Sequence, residues 1–109
     1  MLEAEYKNLV IYQSQEGTYP FEKWLNGLRD IQGRAIIRKR LNRIRLGNLG
    51  DSKQLSAGVF ELRIDFGPGY RVYFGKQNKS IVVLLYGGDK STQSKDIKTS
   101  QQFWFDYLS

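Results

Sequence analysis

Between Val59 and Lys90 the sequence VFELRIDFGPGYRVYFGKQNKSIVVLLYGGDK leaves the backbone few choices. Phe60, Leu62, Ile64 and Phe66 alternate with Glu61, Arg63 and Asp65. A period of two marks a strand with one buried face and one wet face. Tyr70, Val72 and Phe74 repeat the pattern against Arg71 and Tyr73. The run Ile81-Val82-Val83-Leu84-Leu85-Tyr86 is apolar throughout, which predicts an inner strand covered on both faces.

The turn between the first two strands decides where the arginines go. A four-residue loop over Phe66-Gly67-Pro68-Gly69 would set Arg63 opposite Val72, so that one strand's buried row met the other's charged row. Such a slip is heavily penalised. A loop of three or five residues keeps Arg63 and Arg71 on one face. Gly67 and Gly69 supply the positive φ such a turn needs, and Pro68 cannot donate to the ladder. An odd-numbered loop is therefore expected.

Composition removes whole classes of chemistry. The 109 residues, read as one domain over 1–109, contain no cysteine and no histidine. Disulfide frameworks and thiolate metal sites are thereby excluded, as are Ser-His-Asp, Cys-His and histidine-based metallo-hydrolase mechanisms. If the chain is an enzyme, Arg, Lys, Tyr, Asp or Glu must do the work. No cofactor motif and no metal site is expected, since no P-loop, dinucleotide fingerprint, zinc signature or nucleophile elbow occurs. A net charge of +6 points to an anionic partner, most often nucleic acid. No secretory signal and no membrane-length apolar run is read, so a cytoplasmic protein without membrane contact is expected.

Along the chain, Tyr6–Gln13 reads as a strand and Ser14–Tyr19 as a polar loop. Pro20 opens a short helix to about Leu28, with Phe21, Trp24, Leu25 and Leu28 at helical spacing. A second helix, from about Ile31 to Leu46, carries Ile37, Leu41 and Ile44 on one stripe. Arg34, Arg38, Lys39, Arg40, Arg43 and Arg45 cover the rest, with no acid among them. Such a run is either a solvated face or an anion-binding one. Gly47–Ala57 reads as a loop, as does Gly87-Gly88-Asp89-Lys90-Ser91. The tail is helical and ends in Phe103, Trp104, Phe105, Tyr107 and Leu108, which must dock on the body or on a partner. The expected architecture is α+β, in the order β-α-α-β-β-β-α. A mainly antiparallel sheet has the helix pair packed on the face of Leu62, Ile64, Val72 and Phe74. The other face then presents Arg63, Arg71 and Tyr73, with Glu61 and Asp65 among them.

Arg63, Arg71 and Lys90 form the constellation with chemical content, with Lys53 and Lys95 nearby in sequence. Phosphodiester cleavage needs positive charge at the equatorial oxygens and a route for a proton. Arginine forks supply the first, and a lysine or tyrosine supplies the second. The alternative is that Arg63 pairs with Glu61 or Asp65 as an ordinary surface ion pair.

The segments FELRIDFGPGYRVYF and IVVLLYGGDKSTQSKDI, preceded by FEKWLNGL, resemble the RelE/ParE superfamily of bacterial toxins. Within it they are most similar to the HigB-like, phage-related addiction-module killer branch. The resemblance spans Tyr19 to about Trp104. It implies a compact fold of two helices on a sheet, and a cognate antitoxin that is a small helix-turn-helix protein. It also implies metal-independent cleavage of mRNA on the ribosome by basic residues of the sheet. Arg63 matches a basic position on the family's second strand, Arg71 the arginine of its G-Y-R-hydrophobic motif, and Lys90 the basic residue after its last strand. Lys95 lies in the basic segment that follows, without a counterpart of its own.

The chain departs from the family where many ribonuclease members carry a tyrosine or histidine near the C-terminal end. Here Lys95-Asp96-Ile97 stands there, and Tyr73, Lys90 and Asp89 are the available substitutes. The resemblance thus implies Arg63, Arg71 and Lys90 as catalytic residues, and Tyr73 joins them as this chain's own candidate for the missing proton-transfer group. RNA contact falls to Lys53, Arg34, Arg38, Arg45 and Lys95. Members lacking a nuclease site include gyrase-inhibiting toxins, and a phage-derived RNA-binding domain without toxicity is a third reading.

Overall fold

The structure, a computed structural model, describes residues 6–109; residues 1–5 of the expected domain lie outside the described residues. Strand β1 (Asn8–Ile11) is followed by helices α1 (Pro20–Gly27) and α2 (Ile31–Arg45). Strands β2 (Ser52–Gln54), β3 (Val59–Ile64), β4 (Tyr70–Asn78) and β5 (Ile81–Asp89) come next, and α3 (Gln93–Leu108) closes the chain. The fold is α+β, with a five-stranded sheet in the order β1-β5-β4-β3-β2. Among the described residues only β1 pairs in parallel, against β5; the other pairings are antiparallel.

Local chemistry explains the helices. Pro20 sits in the first turn of α1, where its missing N–H costs nothing. Asp30 caps α2, its side chain accepting from the Gly33 N–H at 2.9 Å and from the Tyr70 hydroxyl at 2.8 Å. That second bond ties the start of α2 to the first residue of β4. Phe21 and Leu25 of α1 and Ile37, Leu41 and Ile44 of α2 bury their stripe against Leu62, Ile64, Val72, Phe74, Val82 and Leu84. The helix pair lies on the expected face.

The β3–β4 turn is the five-residue loop Asp65–Gly69, with Leu62 opposite Val72 and Arg63 opposite Arg71. The odd loop is as expected, and it puts both arginines on the face away from the helix pair. Val82 and Leu84 face that pair, while Val83 and Leu85 face a second core, so β5 is covered on both sides. A bulge sits between Tyr73↔Tyr86 and Phe74↔Leu84, which leaves Leu85 as the extra residue. Leu85 and Tyr86 therefore both join the second core.

Three features differ from the expectation. Ser52–Gln54, read as loop, forms an edge strand against Phe60–Leu62; three polar residues carry no apolar period to reveal it. Gly87, Gly88 and Asp89 continue β5 instead of ending it. The glycines are there for close approach, not for a turn. A Cβ on Gly87 would lie 2.1 Å from the Trp24 ring, and one on Gly88 would lie 1.8 Å from an Asp96 oxygen. The largest difference is α3. It packs on the face expected to be open, burying Trp104 with Tyr12, Val59, Tyr73, Val83 and Leu85.

Two outcomes follow from this packing. Gly87→Ala must push Trp24 off the sheet, an overpacking that costs about 1–3 kcal/mol and lowers Tm by roughly 5–15 °C in a thermal melt. An unchanged Tm would mean that α1 is not seated on that backbone. Asp30 supplies the pH dependence. The Gly33 N–H and then the Tyr70 hydroxyl hold its carboxyl below the usual value of 3.8. A lowered folded-state pKa gives stability that is present above the unfolded value and lost as pH falls through the folded one. Asp30→Asn should therefore flatten the acid limb of a stability–pH curve below about pH 4, and an unaltered limb would deny the cap its charge.

Candidate functional site

At the β3–β4 turn end of the sheet, an open cleft of about 450 Å³ is lined by Asp51, Arg63, Asp65, Gly67, Pro68, Gly69, Arg71 and Lys90. Three of the four expected catalytic residues therefore share one cavity. Strand register brings two of them together, and the end of β5 delivers the third. Gly69, at φ +78°, sits between them: a Cβ there would lie 3.4 Å from Arg71 Nη1 and 3.5 Å from Lys90 Cβ. Only glycine holds that backbone conformation cheaply.

The three cations differ in what already holds them. Arg63 donates from Nη2 to Asp51 Oδ1 at 3.1 Å, a pair whose side chains are 44% and 57% exposed. Its partner is thus Asp51, and neither Glu61 nor Asp65. Arg71 is 13% exposed; Nη1 donates to the carbonyls of Gly69 and Tyr70 at 3.0 and 3.2 Å. Its Nε stands 3.9 Å from Oε1 of Glu61, which is fully buried. Lys90 is exposed and has neither an ion pair nor a hydrogen bond among the described residues.

Tyr73 does not reach the cleft. It is fully buried beneath α3, and its hydroxyl has no hydrogen-bond partner. Burial first, then the Glu61 and Asp96 carboxylates, push its phenol far above the usual range. Glu61, expected with Tyr73 on the open face, is buried as well. On β3 it follows Val59 on the same face, with Tyr73 directly across on β4, and the aromatic tail needed such a surface to cover. That need was the available signal.

The expected RNA contacts are dispersed. Lys53 stands exposed on β2, across from Glu61. Arg34 and Arg38 line a separate depression on α2 with Ile31, Ala35, Lys39 and Asn42. Arg38 also donates to Asn26, and Arg45 to Asn42. Lys95 lies exposed on α3 beside Asp96. None of these lines the cleft. Among the described residues no three acidic side chains are grouped to hold a metal ion, and no helix is long and apolar enough to cross a membrane.

A protein of Haemophilus influenzae (strain Rd), described as an uncharacterized protein, is 51% identical to this chain over 84 residues. The match covers 77% of this chain and 85% of the relative. The chain belongs to the same family as that protein. No family model matches it.

The cleft is suited to an oxyanion. An exposed ion pair is worth about 0.2–1 kcal/mol, so a phosphate can displace Asp51 from Arg63 at little cost. Asp51→Asn should tighten binding of a fluorescein-labelled single-stranded RNA about two- to fivefold, a gain within that same range. The log–log salt slope should steepen by up to about 0.7, one further phosphate contact. Unchanged affinity and slope would show that RNA does not meet Arg63.

Proposed function

We propose that this protein is the toxin of a type II toxin–antitoxin module. It belongs on this reading to the RelE/ParE superfamily, in its HigB-like branch, and acts in the cytoplasm as an endoribonuclease that cuts mRNA on the ribosome without a metal. The observation that carries the proposal is the convergence of Arg63, Arg71 and Lys90 on one open cleft. The fold supports it: apart from the short β2, the elements follow the order β-α-α-β-β-β-α, with a helical hairpin on one face of the sheet.

In this reading the scissile phosphate sits over Gly69. Arg71 and Arg63 bind its non-bridging oxygens, where charge builds as the ribose 2′-oxygen attacks phosphorus. The bond from phosphorus to the 5′-oxygen breaks, which leaves a 2′,3′-cyclic phosphate. Asp65, on the cleft wall, accepts the 2′-hydroxyl proton, and the Lys90 ammonium gives one to the departing 5′-oxygen. Arg34, Arg38 and Arg45 of α2, with Lys53 and Lys95, hold ribosomal RNA outside the cleft. The cognate antitoxin is a small helix-turn-helix protein.

One observation favours a second reading. Tyr73, the aromatic candidate for proton transfer, is shut away from the cleft. A toxin of the ParE kind, which inhibits DNA gyrase by binding it, needs no such group.

Arg71→Ala should cut single-turnover cleavage of mRNA on programmed ribosomes by on the order of 10²-fold, the usual loss for one donor to a developing charge. Arg71→Lys keeps the charge without the planar fork and recovers part of the rate. Expression of the wild type should arrest growth, with new mRNA 5′ ends that vanish when translation is blocked. Growth arrest without new ends, but with stalled gyrase–DNA complexes, would select the second reading.

A further inference from the structure

Glu61 is a fully buried carboxylate with one hydrogen bond: Oε2 accepts from Gln93 Nε2 of α3 at 2.8 Å. Among the described residues its other oxygen, Oε1, meets no donor with hydrogen-bond geometry, and neither Arg71 Nε nor the Tyr73 hydroxyl finds a partner, although the phenol stands close enough to Glu61 for the carboxylate to raise it. A buried acid so sparsely served is costly, and a packed apolar side chain would serve stability better. Groups of this kind gather where a fold holds a functional charge in place.

The geometry around Arg71 shows what is held. Nη1 is taken by the Gly69 and Tyr70 carbonyls, and Nε faces Glu61. The two carbonyl bonds hold the Nη1 edge of the guanidinium, and the 3.9 Å ion pair with Glu61 draws the Nε edge inward. Nη2 makes no hydrogen bond among the described residues, and it lies 3.9 Å from the point where a Gly69 Cβ would stand, next to Lys90. Arg71 lines the cleft, and Nη2 is the nitrogen of its fork left without a partner there, close to Lys90, the unpaired cation of the cleft among the described residues.

We infer that Glu61 is a positioning residue for Arg71: from beneath α3 it sets the plane of the guanidinium that meets the anion, and Gln93 fixes Glu61 in turn. The inference rests on the nuclease reading for its catalytic consequence, but not for its geometry. It makes α3 more than a lid on the core, because the helix's first turn determines how a residue on β4 addresses the cleft.

Glu61→Gln keeps the size and the acceptor for Gln93 while removing the charge. The first measurement needs no substrate. In ¹H–¹⁵N spectra at neutral pH the Arg71 Nε–H of the wild type should give a resonance protected from solvent exchange, and Glu61→Gln should lose it. The second is single-turnover RNA cleavage: the maximal rate constant should fall about tenfold with the half-saturating concentration changed less than about twofold, the signature of misplacement rather than lost binding. In an Arg71→Ala background the same substitution should cost nothing more, since it acts through the arginine.

An Arg71 resonance unaffected by Glu61→Gln, or equal losses in both backgrounds, overturns the inference. Should Glu61→Gln melt below the assay temperature, Gln93→Ala lets the carboxylate shift from the helix side, and it should weaken the same resonance and lower the maximal rate constant. If the wild type cuts no RNA, the nuclease reading fails, while the resonance still decides the positioning.

Discussion

Helix α3 meets the sheet at two points where backbone is the only surface. Trp104 lies over Gly75, where a Cβ would be 2.3 Å from its ring, and Asp96 lies over Gly88. The first contact brings the helix's aromatic end down onto Tyr12, Val59 and Leu85. The second seats its polar first turn beside Arg71, because Gly88 is the cross-strand partner of that arginine. A helix resting so low must cover whatever projects between the two points. Glu61 and Tyr73 project there, in one cross-strand row, and both are fully buried. Arg63 and Arg71 form the next row, at the edge of the covered area. The cleft is what remains of that sheet face once the helix is in place.

This arrangement sorts charge by depth. Acids lie inside, with Glu61 against Gln93, and Asp96 accepting from the Thr92 hydroxyl. Burial pushes the Asp96 carboxyl above its usual range. Cations lie outside, at the mouth. A carboxylate under the sheet and an arginine at its edge attract each other along the direction in which the guanidinium must be held. A buried pair of this kind adds little net stability, since desolvation offsets the attraction. Its effect is on orientation.

The architecture was legible where side chains alternate. The period of two in Val59–Phe74 gave the strands, and the parity of the turn gave the shared face of Arg63 and Arg71 without any contact being known. The helix pair followed from Pro20 and the Ile37-Leu41-Ile44 stripe. What escaped was set by tertiary contact. Ser52–Gln54 pairs through backbone alone, and Gly87-Gly88 looks like a turn unless one knows that Trp24 and Asp96 rest on it. The face opposite the helix pair is not open, because Phe103, Trp104 and Tyr107 need a surface and the odd-numbered row of β3 and β4 supplies it. With α3 placed there, Glu61 and Tyr73 leave the list of wet residues and Arg71 becomes half-buried. Asp51, the partner of Arg63, sits in a loop with no periodicity to announce it.

The net charge of +6 is not concentrated in the cleft. Arg63 is paired with Asp51 and Arg71 with Glu61, and Asp65 lies on the wall, so three acids stand against three cations and Lys90 is the cation there without an ion pair among the described residues. The excess sits on the outer face of α2. These two distributions do different work. A run of exposed arginines attracts any polyanion, at a range set by screening of about 8–10 Å. A compensated cleft admits only a ligand that can displace an internal carboxylate and satisfy a fixed fork. The exposed Asp51 is easily displaced, whereas Glu61, with no exposure, cannot be displaced at all. An anion entering the cleft therefore exchanges one acid, at Arg63, and adds to the other, at Arg71. The two arginines of the cleft, though paired across neighbouring strands, are therefore not equivalent.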